Sequence, residues 1–264
     1  MGEDARIWGK GTNNLEAYLN VLQARELLQN FKAENLVLAR QLLEEAIALD
    51  PNYASAYRWL GGTYGSEIFH GLSKDPGESF KQAIKFGQKA LAIDENLSEI
   101  HSFLGIGYLM QRQHEKAIAA GERAVKLSPN SADAIYLLGR FLLNAGRVEE
   151  SIPYFKKSIR LNPFAPSTYY MNFGFAYWLM KQYEEAIAAC KKGLKRNPDD
   201  LWAHMAMAAT YAELGHDEEA YKSAKEVLRI SPKISLKWVE KTVSWKKRSD
   251  VDRLEKALRK AGLK

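Results

Sequence analysis

Apolar residues recur at three- and four-residue spacing over most of the chain, with polar residues between them, which is the pattern of amphipathic helices packed on one side. Leu15, Tyr18, Leu19, Leu22, Leu27 and Leu28 predict a first helix with Asn14 at its N-cap. Leu36 to Ala48 predicts its partner, stopping at Leu49-Asp50-Pro51, with a connecting turn about three residues longer than in the later pairs. From His101 the pattern becomes periodic. Pro129, Pro163, Pro198 and Pro232 stand 34, 35 and 34 residues apart, each closing a phrase such as Lys126-Leu127-Ser128-Pro129 or Arg160-Leu161-Asn162-Pro163. Proline cannot continue a helix and disfavours helix in the residue before it, so each phrase marks a helix end.

Small residues hold fixed places inside each period. The first carries Leu104-Gly105, Tyr108, Ala117, Ala124 and Pro129, and the next Leu138-Gly139, Leu142, Ser151, Phe155, Ser158 and Pro163. Phe173-Gly174, Tyr177, Ala186, Gly193 and Pro198 follow, then Met207-Ala208, Tyr211, Ala220, Ala224, Val227 and Pro232. Two antiparallel helices approach closely only where a side chain is tiny, and the large neighbours fill the adjoining holes. With this period, the chain resembles a tetratricopeptide array. The resemblance implies an all-α fold: a right-handed superhelix, or α-solenoid, of about six helix pairs plus a C-terminal capping helical segment.

The expected organisation is a leader or linker over 1–14, an array over 15–233 and capping helices over 234–264. Repeat boundaries fall near 15–51, 52–96, 97–130, 131–164, 165–199 and 200–233. Trp8 is expected to dock on the first helix. In the second repeat Gly61 and Ala83 lie 22 positions apart, where Gly105 and Ala117 lie 12 apart. The extra residues fall within 66–79, and Lys74-Asp75-Pro76-Gly77 is turn chemistry, so this insertion is expected to project as a loop. Glu95 replaces the proline there. Near the C-terminus, Leu236 to Trp245 predicts one short helix, followed by Lys246-Lys247-Arg248. Ser249 with Asp252 resembles a capping box ahead of Val251, Leu254 and Leu258, and Gly262 supplies a stop.

Composition changes this picture little. Hydrophobic residues make up 46% of the 264, as in an ordinary globular protein, and a formal charge of +6 is modest for the length. It does not point to nucleic acid. Cys190 is the one cysteine, fits a reducing, cytoplasmic setting, and falls on a second helix's buried face as a small core hydrophobe. Neither a signal peptide nor a membrane-spanning apolar run is legible, so membrane insertion is not expected. Gly105-Ile106-Gly107-Tyr108 begins like a dinucleotide loop, but Met110 stands at the third glycine's place and no strand precedes it. His101 and His204 occupy equivalent packing places, His114 and His216 fall in turns, and His70 lies in the insertion, with no metal-ligand spacing. No cofactor and no catalytic residue is nominated. Lys156-Lys157, Lys191-Lys192 and Lys195-Arg196 read as a solvated outer face.

First helices are more informative. A second helical stripe runs through Glu99, Ser102, Ile106, Leu109 and Met110, and the resemblance implies that it lines the concave side. Carried forward it gives Asp133, Tyr136, Arg140, Leu143 and Asn144, then Thr168, Met171, Phe175, Trp178 and Leu179, then Trp202, Met205, Ala209, Ala212 and Glu213. Tyr136, Arg140, Asn144, Met171, Phe175, Trp178, Trp202 and Met205 are therefore the candidate partner-binding groove, since aromatics and methionines are over-used at protein-binding surfaces. The competing reading is that neighbouring repeats or the terminal helix cover them. Some tetratricopeptide proteins grip a terminal carboxylate with lysine, asparagine and arginine. The corresponding places here, Arg58, Gly62, Phe103, Asp133 and Leu137, lack that set, as does a second register through Tyr136, Arg140, Asn172, Trp202 and Ala206.

Residues 8–264 also resemble the C-terminal repeat region of bacterial class III adenylate/guanylate cyclases. Trp8-Gly9, Asn14 to Leu19, Ala39-Arg40, Glu45 to Pro51, Asn130 to Ala134, Leu161-Asn162-Pro163 and Asp252 to Leu263 carry that resemblance, together with the long second repeat. The metal-binding aspartates and nucleotide-binding strands of a cyclase are absent. The expected function is a non-catalytic protein–protein interaction module, the regulatory or scaffolding part of a bacterial signalling protein such as a class III cyclase. The alternative is a stand-alone scaffold that self-associates or binds peptides in its groove.

Overall fold

A computed structural model describes residues 11–29, 33–69 and 72–264. Trp8, most of the leader and His70 lie outside the described residues. Among those described, every regular element is a helix, and the chain forms two compact units divided between Gly107 and Tyr108. The helices are α1 (Leu15–Gln29), α2 (Ala33–Leu49), α3 (Ala54–Phe69), α4 (Pro76–Ile93), α5 (Ser98–Met110), α6 (His114–Leu127) and α7 (Ala132–Asn144). They continue as α8 (Val148–Leu161), α9 (Ser167–Leu179), α10 (Tyr183–Leu194), α11 (Leu201–Leu214), α12 (Asp217–Ile230), α13 (Leu236–Thr242) and α14 (Arg248–Lys260). The expected all-α fold of stacked helix pairs is the one observed.

Local chemistry sets the ends. Asn14 Oδ1 accepts from Ala17 N at 3.0 Å, making Asn14 the first cap, and Asp75, Ser131, Asp200 and Ser235 cap α4, α7, α11 and α13 in the same way. The turns that precede α6, α8, α10 and α12 each pass through a left-handed residue two positions before the helix: Arg112 (φ 58°), Gly146 (81°), Lys181 (61°) and Gly215 (78°). Two of the four are not glycine, a strain that the shared turn geometry imposes.

In unit one, α1 with α2 and α3 with α4 form the pairs. Ala17, Val21, Ala24, Leu43, Tyr53 and Leu60 build the core of the first pair. The stretch 66–79 was expected to project as a loop, but 66–69 and 76–79 are helical. α3 has 16 residues and α4 has 18, against 13 in α7 and 14 in α8, so most of the extra length extends helices. Glu67 holds this extension, accepting from Arg40 of α2 at 3.3 Å and from Ser79 Oγ at 3.1 Å. The longer turn expected within the first pair is likewise absorbed by its helices, of 15 and 17 residues.

In unit two, α7–α8, α9–α10 and α11–α12 are the regular pairs, and their small residues do what the spacing required. A Cβ at Gly174 would collide with Cys190 Sγ, and one at Gly139 would stand 3.1 Å from the Phe155 ring. The C-terminus departs from expectation. α13 stops at Thr242, leaving Val243 to Trp245 outside any helix with Val243 extended, and α14 begins at Arg248 with Lys247 at its N-cap and no side-chain cap there. Ser249 is therefore inside the helix, not capping it.

Candidate partner-binding groove

Across α7, α9 and α11, Tyr136, Phe175, Trp178 and Met205 share one core, with Met171 and Trp202 packed against it. Their environment differs from an open groove. Trp178 and Met205 are fully buried, and Phe175, Tyr136 and Asn144 retain 4%, 7% and 7% of their exposure. Arg140, Met171 and Trp202 are half-buried. The expectation of an exposed aromatic surface is thus not met, because the chain's own C-terminal segment lies on it.

The covering segment is held as a peptide ligand would be. Arg112 Nη2 donates to Val243 O at 3.0 Å, and His114 Nε2 lies 2.7 Å from Ser244 O. Lys246 N donates to Asn144 O at 2.8 Å. Between these backbone bonds, Trp245 enters an aromatic slot. Its ring meets Phe175 edge-on with centroids 5.5 Å apart, and Trp178 nearly parallel at 6.0 Å. Trp238 packs on Trp202 at 5.5 Å. A backbone recognised through its carbonyls and amide, with one large side chain in a pocket, is a common mode of peptide recognition.

α14 closes the far side. Val251, Leu254 and Leu258 are buried in the common core with Phe175, Trp178 and Met205. Arg253 caps the C-terminal end of α9, donating to Trp178 O at 3.1 Å and Leu179 O at 3.3 Å, and it pairs with Glu213 at 2.6 Å. Its guanidinium also sits 4.2 Å from the Trp178 ring centroid. Burial opposes the charge of Arg253, but Glu213 outweighs that cost and the arginine pKa is raised. Lys260 Nζ donates to Ala212 O at 2.8 Å. Two members of the basic stretch 246–248 are held in ion pairs: Lys246 with Glu115 at 2.9 Å, and Arg248 with Glu240 at 2.5 Å and Asp252 at 2.7 Å.

Polar order continues along the groove floor. The Tyr136 and Tyr169 rings stack at 4.0 Å, Tyr169 donates to Asp133, and Asn172 donates to the Tyr136 hydroxyl at 2.7 Å. Burial raises the pKa of both phenols, and the Asp133 carboxylate adds to the rise at Tyr169. The remaining described histidines are structural. His101 and His204 each reach back to a turn carbonyl, Glu95 O at 2.7 Å and Pro198 O at 2.9 Å. Among the described residues no cluster of His, Cys, Asp or Glu could hold a metal ion, and no helix is long and apolar enough to cross a membrane.

The sequence reading missed Trp238, Trp245 and Arg253. One signal was available: two tryptophans seven residues apart, a spacing that puts both on one face of a helix, lie outside the periodic region.

Sequence profiles described as tetratricopeptide repeat match residues 104–166 and 177–235. No curated protein sequence matches the chain. Among solved structures, the pilF protein of Pseudomonas aeruginosa is similar in fold at TM-score 0.63 and 19% identity, over 84% of this chain and 95% of that one. PilW, a type IV pilus biogenesis factor, is similar at TM-score 0.60 and 20% identity, over 79% and 90%. The Cut9–Hcn1 hetero-tetramer of the APC/C is similar at 0.65 and 20% identity, over 92% of this chain but 46% of that one. At these identities the likeness is one of fold. With the profile matches and the small-residue register, residues 104–166 and 177–235 are similar to tetratricopeptide repeats, within an all-helical fold of the kind those structures share.

Proposed function

We propose that this chain is a peptide-binding interaction module whose groove over α7, α9 and α11 is held closed in cis, and that a partner gains the groove by exchanging with residues 243–247. The strap carries the reading. Its two carbonyls, one amide and Trp245 satisfy Arg112, His114, Asn144 and the Phe175–Trp178 slot as an outside peptide would. Tyr136, Arg140, Met171, Trp202 and Met205 are then the floor and rim that such a peptide would meet. The partner class is a protein or peptide with an aromatic residue in an extended stretch.

A trans peptide tests this directly. A labelled peptide with the sequence of residues 241–248 should bind the Trp245→Ala chain, whose slot is vacated, and bind the unaltered chain at least tenfold more weakly. Equal or absent binding to both chains would show that the groove does not exchange its occupant.

Within this reading, the module serves as the regulatory or scaffolding region of a bacterial signalling protein such as a class III nucleotide cyclase. The resemblance over residues 8–264 supports it, and the single buried thiol of Cys190 suits a cytoplasmic setting. The coding sequence surrounding this chain separates that assignment from a stand-alone scaffold, through the presence or absence of a cyclase domain.

A further inference from the structure

The outward side of α1 carries a stripe at helical spacing, Leu15, Leu19 and Leu22, with exposures of 48%, 51% and 37%. It lies opposite the buried stripe Ala17, Val21 and Ala24. Counting from the small residue at each helix crossing, Leu19 and Leu22 correspond to Ala56 and Trp59 of α3, Ile100 and Phe103 of α5, and Tyr169 and Asn172 of α9. In each of those helices the position packs on the preceding pair. Ala56 and Trp59 join the core of α1–α2, Phe103 lies against Gly61 and Gly87, and Tyr169 and Asn172 engage Tyr136. The α1 stripe is therefore a stacking surface of the same register, left exposed among the described residues.

Charge selects the occupant. Glu26 continues the leucine stripe and Glu16 flanks it, and both are exposed. The one cation of α1, Arg25, is turned to the Trp59 ring, 5.2 Å from its centroid. A second copy docked edge to edge would set these carboxylates against their own kind.

We infer that the α1 edge is a docking surface for a basic amphipathic helix of a partner protein, which adds a helix to the array at this end. Leucine-sized residues of the partner would cover Leu15, Leu19 and Leu22, and its lysines or arginines would meet Glu16 and Glu26.

The experiment uses the full chain and a fluorescent 18-residue helical peptide built from leucine and lysine with one apolar stripe. Anisotropy should report binding that falls at least tenfold with Leu19→Glu/Leu22→Glu, with Glu16→Lys/Glu26→Lys, and when the peptide's lysines are replaced by glutamate. The variants should melt like the parent, since the altered side chains are exposed. Binding that survives either double variant overturns the assignment. Two further results would also overturn it. Concentration-dependent dimerisation abolished by Leu19→Glu gives the edge to a second copy. Slow maleimide labelling of Leu19→Cys that becomes fast on removal of residues 1–10 gives it to the chain's own leader.

Discussion

Trp245 lies nearly parallel to Trp178, with 24° between ring planes, and each indole covers the other from solvent. The contact joins a residue of the repeat array to one that belongs to no repeat. Trp178 Nε1 is buried with no hydrogen-bond partner among the described groups, so this pair is held by packing and not by polar recognition.

Trp245→Ala should therefore cost about 3–5 kcal/mol, the usual range for truncating a buried large aromatic. Denaturant unfolding of the variant and the parent checks this. A loss under about 1 kcal/mol would mean that the slot collapses readily or was never tightly filled.

Arg253 and Glu213 should behave as a coupled pair, because their side chains are only 22% and 19% exposed and Arg253 also satisfies two carbonyls of α9. Arg253→Met and Glu213→Gln should each destabilise, and the double mutant should recover about 1–2 kcal/mol relative to additivity. A cycle that closes to zero would assign the effect of Arg253 to the α9 carbonyls and the Trp178 ring alone.

Gly174→Ala tests the helix crossing of the fifth repeat. Its new Cβ meets Cys190 Sγ, on a helix that cannot retreat without disturbing its own pair. A cost of about 1–3 kcal/mol is expected for overpacking. Cys190→Ala in the same chain should return part of it, and urea melts of the four proteins decide.

Cys190 itself gives a pH prediction. Burial, with the Asp200 charge second, pushes its thiol pKa up to about 12. Below the unfolded-state pKa near 9 the thiol is protonated in both states and folding is unaffected. Above it the unfolded chain ionises first. Stability is therefore lost as pH rises from about 9 towards 12, by at most about 1.4 kcal/mol per pH unit from this group. The difference between parent and Cys190→Ala stability curves isolates this slope from the tyrosines. The native thiol should also resist Ellman's reagent at pH 8 until urea is added.

What the sequence determined by itself is whatever depends on local, repeated chemistry. Gly105, Gly139, Gly174 and Ala208 at constant register, with prolines closing every repeat but the second, specify helix pairs and their crossing points, because each contact lies within one repeat or its neighbour. The same periodicity identified Tyr136, Phe175, Trp178 and Met205 as sharing one face, and the structure brings them together. What covers that face was decided only by tertiary structure. Trp245 meets Trp178 across 67 residues, and Arg112 meets Val243 across 131, with no period linking either pair. The stretch 66–79 shows the same limit from the other side. Its turn residues predicted a loop, yet tertiary packing drew most of it into longer helices, since Glu67 gains both Arg40 and Ser79 by staying helical. Sequence period fixes which side of a helix must be buried; only the folded chain settles what buries it.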